Sequence, residues 1–302
     1  MRTKILSLLM MLTSIAGFAQ QDAQYTQYMY NTVNINPAYA GSRGVLSIFA
    51  LHRTQWVGLD GAPTTNAVSL NTPLNSSRLG LGVSIVNDKI GPTHENTISA
   101  DLAYTIPTSE TWKLSFGLKA TGNLFDLDVS RLNPVDSDPN LQNYSNKFTP
   151  NIGAGLYWHS SKAYLGLSVP NFIETNRYDD NEIAIYKEKI NYYLIAGYVF
   201  DLNYNLKFKP AILTKVVEGA PLQIDLSTNF MYNDKFTLGL AYRWSASVSA
   251  MAGFQVSNGL YIGYGYDLET TKLENYNSGS HEIFLRFELF KNNKRINTPR
   301  FF

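Results

Sequence analysis

Four histidines and one cluster of aspartates are the residues whose types could support catalysis or metal binding. None of the histidines stands in the H-E-x-x-H motif of a zinc protease, and no G-x-S-x-G nucleophile elbow is present. Either His52 or His281 with a nearby serine could still imitate a lipase site. No glycine-rich phosphate loop accompanies them, so we expect no cofactor and no enzymatic activity. The four histidines are His52, His94, His159 and His281.

The aspartates belong to 126-DLDVSRLNPVDSDPNLQNYSN-146, a polar and acidic stretch. Calcium prefers carboxylate oxygens, so a calcium loop is one interpretation of Asp126, Asp128, Asp136 and Asp138. The stretch lacks the D-x-[DN]-x-[DN]-G spacing of such a loop. An ordinary solvated loop is therefore the favoured interpretation, and we expect no metal site.

The stretch 52-HRTQWVGLDGAPTT-65 places a Trp and an Arg in a loop longer than a hairpin needs. In a binding loop, Trp56 would be an apolar anchor and Arg53 a bidentate donor, with Gln55 between them; Trp and Arg are favoured at binding hot spots. The alternative is structural: Trp56 joins an aromatic girdle and neighbouring carbonyls satisfy Arg53. The choice depends on the elements that position this loop.

The first residues of the chain predict export. Arg2 and Lys4 precede the apolar run 5-ILSLLMML-12, and small residues follow in 16-AGFAQ-20. We interpret residues 1–20 as a signal peptide, because the apolar run is far shorter than the ~20 residues of a membrane-spanning helix. A retained anchor is the alternative.

The composition argues against a nucleic-acid partner and against a disulfide-stabilised fold. The chain has no cysteine, and at this length it can bury a core without disulfides. Without Arg2 and Lys4, which belong to the predicted signal peptide, the chain has 23 basic and 24 acidic residues. This balance implies no basic face. The 20 Tyr and 16 Phe against 16% charged residues are unusual for a soluble protein.

Apolar and polar residues alternate along most of the chain after residue 44. In 111-TWKLSFGLKATG-122, for example, large apolar residues share one face of a strand and polar or small residues share the other. Strands of ~9–13 residues are typical of an outer-membrane β-barrel. Residues 44–291 therefore predict an all-β transmembrane barrel of about 14 antiparallel strands. The strands are expected near 45–53, 64–72, 78–87, 95–107, 111–122, 148–159, 162–170, 188–201, 205–217, 221–232, 235–245, 247–257, 259–269 and 280–290.

The connections between these strands alternate in length. Every second link is short, as in 107-PTSE-110 and 232-YND-234, whereas the others include 122–148 and 170–187. Outer-membrane barrels have short periplasmic turns and longer extracellular loops. We therefore expect the 52–65 loop outside the cell and residues 292–302 as a periplasmic tail.

The polar faces of the strands carry glycines, serines and charges, which indicates that they line the lumen, because charges facing lipid are costly. In the 95–122 hairpin, a pairing of Ile106 with Trp112 puts Asp101 opposite Gly117 and diagonal to Lys119. The charges either satisfy one another in a partly closed interior or line a conduit. The predicted lumen charges are Asp101, Lys119, Lys207, Lys209, Asp225, Arg243, Asp267, Arg286 and Glu288.

The segment 21–43 is a candidate for filling this glycine-lined interior. It is rich in Tyr, Asn and Gln, and Asn36, Pro37 and Gly41 break regular structure. Such a segment could fold into the lumen as a plug or cap the periplasmic mouth. Its candidate plug residues are Tyr25, Tyr28, Asn36, Pro37 and Tyr39.

Several of these stretches together resemble one protein family. They are 24-QYTQYMYNTVNINPAYAGS-42, 53-RTQWVGLDGAPTT-65, 78-RLGLGVSIVNDKIGP-92 and 298-TPRFF-302. They are similar to the PorP/SprF family of the Bacteroidota type IX secretion system, from end to end of the mature chain. The resemblance implies a non-enzymatic outer-membrane barrel, in contact with lipid, that serves secretion or gliding.

The resemblance also implies partners. Family members belong to the secretion and gliding apparatus or partner particular secreted surface proteins such as adhesins, through a C-terminal domain. We therefore expect docking or anchoring of such a protein, with contacts to periplasmic or outer-membrane machinery. A passive channel or small-molecule transporter is the alternative function.

Overall fold

The structure is a computed structural model that describes residues 28–74, 78–132, 143–174, 176–178, 184–187 and 189–289. The predicted signal peptide 1–20, the predicted tail 292–302 and the candidate plug residue Tyr25 lie outside the described residues. So do Asp136 and Asp138 of the acidic stretch.

Antiparallel strands form a closed barrel, because the first strand pairs with the last. Fourteen strands make up the wall when the short β11 is counted as the continuation of β10 beyond Val199; β11 pairs with the same neighbour, β12. The predicted all-β barrel is confirmed. The strands are β1 (Leu46–Thr54), β2 (Thr64–Pro73), β3 (Leu79–Ile90), β4 (Thr93–Pro107), β5 (Lys113–Leu127), β6 (Tyr144–His159), β7 (Ala163–Val169), β8 (Asn176–Tyr178), β9 (Ala184–Lys187), β10 (Asn191–Tyr198), β11 (Phe200–Asp201), β12 (Leu206–Val217), β13 (Gln223–Tyr232), β14 (Phe236–Arg243), β15 (Ser247–Gln255), β16 (Leu260–Glu269) and β17 (Ser280–Leu289), of which β8 and β9 form a separate hairpin.

The alternation in sequence becomes the two faces of the wall. On β5, Phe116 and Leu118 point outward and are 45% and 64% exposed, while Ser115 and Lys119 point inward and are buried. The outward faces of the other strands are likewise apolar and exposed to the surroundings. A belt of this kind is stable only against lipid.

The two ends of the barrel differ in their connections. The links after β2, β4, β6, β11, β13 and β15 are short and lie at the end where the wall begins with Leu46 and finishes with Leu289. We call this the turn end. The connections 55–63, 128–143, 170–190 and 270–279 lie at the opposite, long-loop end. This asymmetry assigns the turn end to the periplasm and the long-loop end to the cell exterior.

The hairpin of β5 and β6 is longer than predicted from the sequence. β5 continues to Leu127 and β6 begins at Tyr144, so the predicted loop 122–148 was too long. Phe125, Leu127 and Val129 form a buried apolar cluster, which stabilises the extension. Of the aspartates in this stretch, the two that the structure describes accept from backbone amides: Asp126 Oδ1 from Asn146 N at 2.7 Å and Asp128 Oδ1 from Ser130 N at 3.2 Å.

The predicted register of the 95–122 hairpin was wrong by two residues. Ile106 pairs with Leu114, so Asp101 lies directly opposite Lys119. Two backbone amides of the turn, those of Thr108 and Ser109, donate to Trp112 O at 2.9 and 3.2 Å, which keeps Trp112 in the turn. A shift of two residues preserves the faces, so the inward direction of both charges was correct.

The described residues before β1, from Tyr28 onward, lie inside the barrel. They contain two short 3-10 helices, Tyr28–Tyr30 and Pro37–Tyr39, and the helix Thr32–Ile35. Most of their side chains are buried, and the main apolar cluster of the molecule forms between them and the inner wall. Among the helices that the structure describes, none is long and apolar enough to cross a membrane.

Candidate functional site

The wall opposite residues 28–42, which we call the lumen segment, is lined by glycines that admit its backbone. A Cβ added at Gly80 would lie 2.1 Å from Ala40 O, and one added at Gly117 would lie 2.1 Å from Ala38 N. At Gly155 it would lie 2.2 Å from Asn36 Oδ1. Any side chain at these positions would displace the segment or the wall.

Hydrogen bonds fix the lumen segment to the wall. Asn36 Nδ2 donates to Leu156 O at 3.0 Å, while Asn36 Oδ1 accepts from Ala38 N and begins the second 3-10 helix. The hydroxyl of Ser168 donates to Ile35 O at 2.7 Å. The candidate plug residues Asn36 and Pro37 therefore lie in direct contact with the wall.

Aromatic packing holds the beginning of the lumen segment. The ring of Tyr30 lies 4.4 Å from that of Phe284 and 5.5 Å from that of Tyr261, centroid to centroid, and its hydroxyl is 3.1 Å from Tyr261 Oη. Tyr28 and Tyr39 are also buried. Burial raises the pKa of Tyr28 and of Tyr30 well above the usual value of a phenol, so both stay protonated.

The structure places eight of the nine predicted lumen charges in local ion pairs along the wall. Lys209 differs from the others in that its Nζ lies 5.1 Å from the centre of the Tyr164 ring. Four residues of these ion pairs were missing from the predicted lumen set: Arg43, Arg53, Asp234 and Glu282. The pairs are Asp101 with Lys119, Lys207 with Asp234, Asp225 with Arg243, Asp267 with Arg53, and Arg286 with Glu288, which also binds Arg43.

Asp101→Asn is expected to lower the free energy of unfolding by about 3–5 kcal/mol, because it leaves the ammonium of Lys119 buried without its counter-ion. The two side chains are 0% and 3% exposed, and Lys119 Nζ lies 2.9 Å from Asp101 Oδ1. Urea unfolding of the barrel in lipid vesicles measures the change. Asp234→Asn is the control: Asp234 is 39% exposed, so its pair with Lys207 should contribute less than about 1 kcal/mol. Equal losses in the two variants would contradict the prediction.

The candidate loop anchor residues lie at the long-loop end. Arg53 is buried, and its Nη1 lies 2.7 Å from Asp267 Oδ2 and 3.1 Å from Glu282 Oε2. Its guanidinium is thus held inside the wall by carboxylates of β16 and β17. The structural alternative had predicted that backbone carbonyls would satisfy it. Gln55 closes the loop through its backbone, donating from N to Pro63 O at 2.9 Å.

Trp56 points into the mouth of the barrel. Its φ of +43° lies in the left-handed region, which bulky residues rarely adopt. The backbone N donates to Ser280 Oγ at 3.2 Å and Nε1 donates to Glu269 Oε1 at 2.9 Å, and these two bonds maintain the conformation. Trp56 therefore does not join the aromatic girdle that the structural alternative predicted.

Neighbouring connections hold the 55–63 loop on both sides. Val57 N donates to Gly279 O at 2.9 Å and Ser278 N donates to Val57 O at 2.8 Å, while Gly91 N donates to Gly61 O at 2.9 Å. Behind the loop a cavity of about 600 Å³ opens at the long-loop end. We call it the vestibule. Among its lining residues are Trp56, Asp88, Arg243, Trp244, Ser247 and Glu269.

The four histidines do not share one site: His52 and His281 lie near each other on the outer face of the paired strands β1 and β17, and the other two lie elsewhere. His159 is buried at the turn end beside the ring of Tyr157, and His94 lies on β4 near the long-loop end. His281, on the outer face, bonds Tyr264 Oη at 2.6 Å. Within the described part of the chain, no three His, Cys, Asp or Glu side chains are grouped so that they could hold a metal ion.

A closed antiparallel barrel of fourteen strands, with an apolar outer belt and a polar, charge-paired interior, defines the class of outer-membrane β-barrel proteins. The sequence matches the family described as "Type IX secretion system membrane protein PorP/SprF" over residues 17–287. The chain therefore belongs to the PorP/SprF family, which confirms the resemblance and the outer-membrane location. This is a family of secretion-system membrane barrels and not of enzymes.

Solved structures match this chain at low sequence identity. The toluene transporter TbuX of Ralstonia pickettii is 10% identical, with 91% of this chain and 98% of that chain covered and a TM-score of 0.52. Omp33 of Acinetobacter baumannii is 9% identical, with 81% and 99% covered and a TM-score of 0.48. A FadL homologue of Pseudomonas aeruginosa is 14% identical, with 82% and 89% covered and a TM-score of 0.43. The likeness to TbuX shows the fold alone, and no curated protein matches the sequence.

Proposed function

We propose that this barrel is a docking or anchoring component of type IX secretion, which holds a secreted, adhesin-like surface protein at the cell exterior through that protein's C-terminal domain. One observation carries the proposal. The barrel's own N-terminal segment fills the lumen toward the turn end, while the vestibule remains open among the long loops. A barrel with this division is suited to hold a partner outside and poorly suited to pass solutes.

The lumen segment crosses the interior from wall to wall. At its start, the sulfur of Met29 lies 3.6 Å from Asn229 Nδ2 on β13. Toward its end, Asn36 Nδ2 donates to Leu156 O on β6 and to Leu167 O on β7. In between, Asn31 Oδ1 accepts from Ser69 Oγ of β2 at 2.6 Å. A diffusion channel needs a continuous hydrated path, and a segment bonded to opposite walls obstructs it.

A passive channel is the second candidate, favoured by the polar cavities on the outer side of the lumen segment. Besides the vestibule, a cavity of about 140 Å³ is lined by Asn34 of the segment and by polar side chains such as Thr121 and Asn151. Polar cavities of this size hold water. In the anchoring proposal this water hydrates the interior without continuing to the periplasm.

Gentle detergent extraction of the tagged barrel from its native outer membrane, followed by mass spectrometry, tests the docking proposal. We expect a large secreted surface protein to copurify. It should be lost when the outer connections 128–143 or 170–190 are replaced by short Gly/Ser linkers, because these are the longest outer connections. Replacement of the turn 256–259 at the opposite end is the matched control and should leave recovery unchanged. Recovery that survives every outer-loop replacement would contradict docking at this end.

A further inference from the structure

The vestibule combines an excess of negative charge with two tryptophans. Among the residues that the structure describes, five carboxylates lie in or directly behind its wall, against three cations, Arg53, Lys215 and Arg243. Arg53 is held by two carboxylates and Arg243 by one, so these arginines are engaged within the wall. The five carboxylates are Asp88, Asp225, Asp267, Glu269 and Glu282.

Glu269 carries charge that no cation in the described part of the chain neutralises. No Lys, Arg or His among the described residues is within ion-pair distance of its carboxylate. Its oxygens accept instead from neutral donors, the indole of Trp56 at 2.9 Å and the hydroxyl of Thr271 at 3.3 Å. The carboxylate is half-buried and faces the cavity. A charge placed in this way is available to an incoming cation.

A second polar group in the wall is also unused. Ser247 lines the vestibule and is 3% exposed, and its hydroxyl has no hydrogen-bond partner among the described residues. Buried hydroxyls are normally satisfied, so an unpartnered one that lines a cavity indicates a place for a ligand or an ordered water. A hydroxyl and a carboxylate in one wall can together accept hydrogen bonds from a donor.

The aromatic residues add the remaining feature of a cation site. Trp56 and Trp244 both line the cavity, and indole faces attract ammonium and guanidinium groups. The cavity of about 600 Å³ is within the range of ~300–1,000 Å³ that is usual for small-ligand sites. It therefore has room for a long side chain and its adjoining backbone.

We propose that the vestibule binds a basic side chain, lysine or arginine, presented by an extended segment of the secreted partner. The inference rests on the proposed docking function for the identity of the partner. The chemistry of the site stands independently of it, because the cavity offers acceptors, excess negative charge and two tryptophan residues to whatever enters from outside.

The test uses the full-length barrel in detergent micelles and a fluorescein-labelled peptide in which lysine alternates with serine. We expect the lysine peptide to bind at least about tenfold more tightly than a matched glutamate peptide, and the affinity to fall as salt is raised. Acetylation of the lysines should abolish binding. Equal binding of the lysine and glutamate peptides would overturn the proposal.

Variants locate the site. Glu269→Gln keeps an acceptor for the Trp56 indole and removes the charge, so it should weaken lysine-peptide binding about tenfold. Trp244→Leu should also weaken it, and this side chain is 63% exposed, so folding is not at risk. Asp234→Asn removes the same charge at the turn end and should leave binding unchanged. A loss shared equally by Glu269→Gln and Asp234→Asn would mean a non-specific charge effect and would overturn the site.

The outcomes separate this inference from the docking proposal. If the lysine peptide does not bind while the secreted protein still copurifies with the barrel, the vestibule inference is wrong and docking stands. If the lysine peptide binds in the vestibule and no secreted protein copurifies, docking is wrong and the cation site stands.

Discussion

Deletion of residues 28–42 is expected to turn a poorly conducting barrel into one that conducts ions like an open porin. The lumen segment provides most of the apolar filling of the interior, and its backbone lies against the glycine-lined wall. Barrels of 16–18 strands leave an aqueous channel and barrels of about eight are filled by their own side chains, so fourteen strands without a plug leave space for water. Single-channel recording in planar bilayers makes the comparison.

A single substitution should produce part of the same effect. At Gly117 even the Cβ of alanine meets the backbone of Ala38 and Pro37, so Gly117→Ala should shift the segment and cause intermittent conductance. Gly122→Ala is the matched control on the same strand, because its Cβ points outward and meets only the ring of Phe148. Porin-like conductance of the intact protein would contradict the anchoring proposal. A deletion variant that stays closed would show that the lumen segment is not what closes the barrel.

Arg53→Met is expected to cause the largest loss of stability of any single substitution in the wall. Arg53 bridges Asp267 and Glu282 with all three side chains almost completely buried, so its removal takes away the cation that these two carboxylates share. Breaking one buried pair costs about 3–5 kcal/mol, and here two pairs share the lost cation. Urea unfolding in lipid vesicles should give a loss at or above the upper end of that range.

The double variant Arg53→Met with Glu282→Gln distinguishes charge from packing. Removal of one of the stranded carboxylates should recover much of the lost stability, because the repulsion between the two is then absent. Arg53→Lys should retain more stability than Arg53→Met but less than the wild type, since an ammonium cannot reproduce the planar fork of the guanidinium. A loss in Arg53→Met that is unchanged in the double variant would mean that packing, and not charge, explains it.

The barrel fold could be predicted from the sequence because period-two alternation and the alternation of short and long links are local properties of the chain. The hairpin of β5 and β6 was underestimated, since beyond the membrane the strands no longer need an apolar outer face. There Phe125 and Leu127 pack inward, so no outward apolar stripe marks this part of the strands in the sequence. Register was the other error, because a shift of two residues changes no side chain's face.

The site was only partly predictable, because ion pairs across the barrel join residues that are distant in sequence. Arg53 was identified by its residue type, but its partners come from the opposite end of the chain. Glu282 could have been found, since it alternates in phase with Arg286 and Glu288 on β17. Arg43 had no such pattern, because it precedes the first strand and reaches Glu288 only once the barrel is closed.

The ion pairs Arg53–Glu282 and Arg43–Glu288 depend on the register of β1 and β17, the two strands that close the barrel. β1 and β17 pair with Arg53 opposite Glu282, and near the other end of the same strand pair Arg43 binds Glu288. A slip of two residues would keep every side chain on its proper face, so the apolar pattern alone cannot reject it. The same slip would part Arg53 from Glu282 and Arg43 from Glu288, although both arginines are buried. Closure in the wrong register is therefore electrostatically unfavourable, and the charges on β17 and in and before β1 favour the correct register.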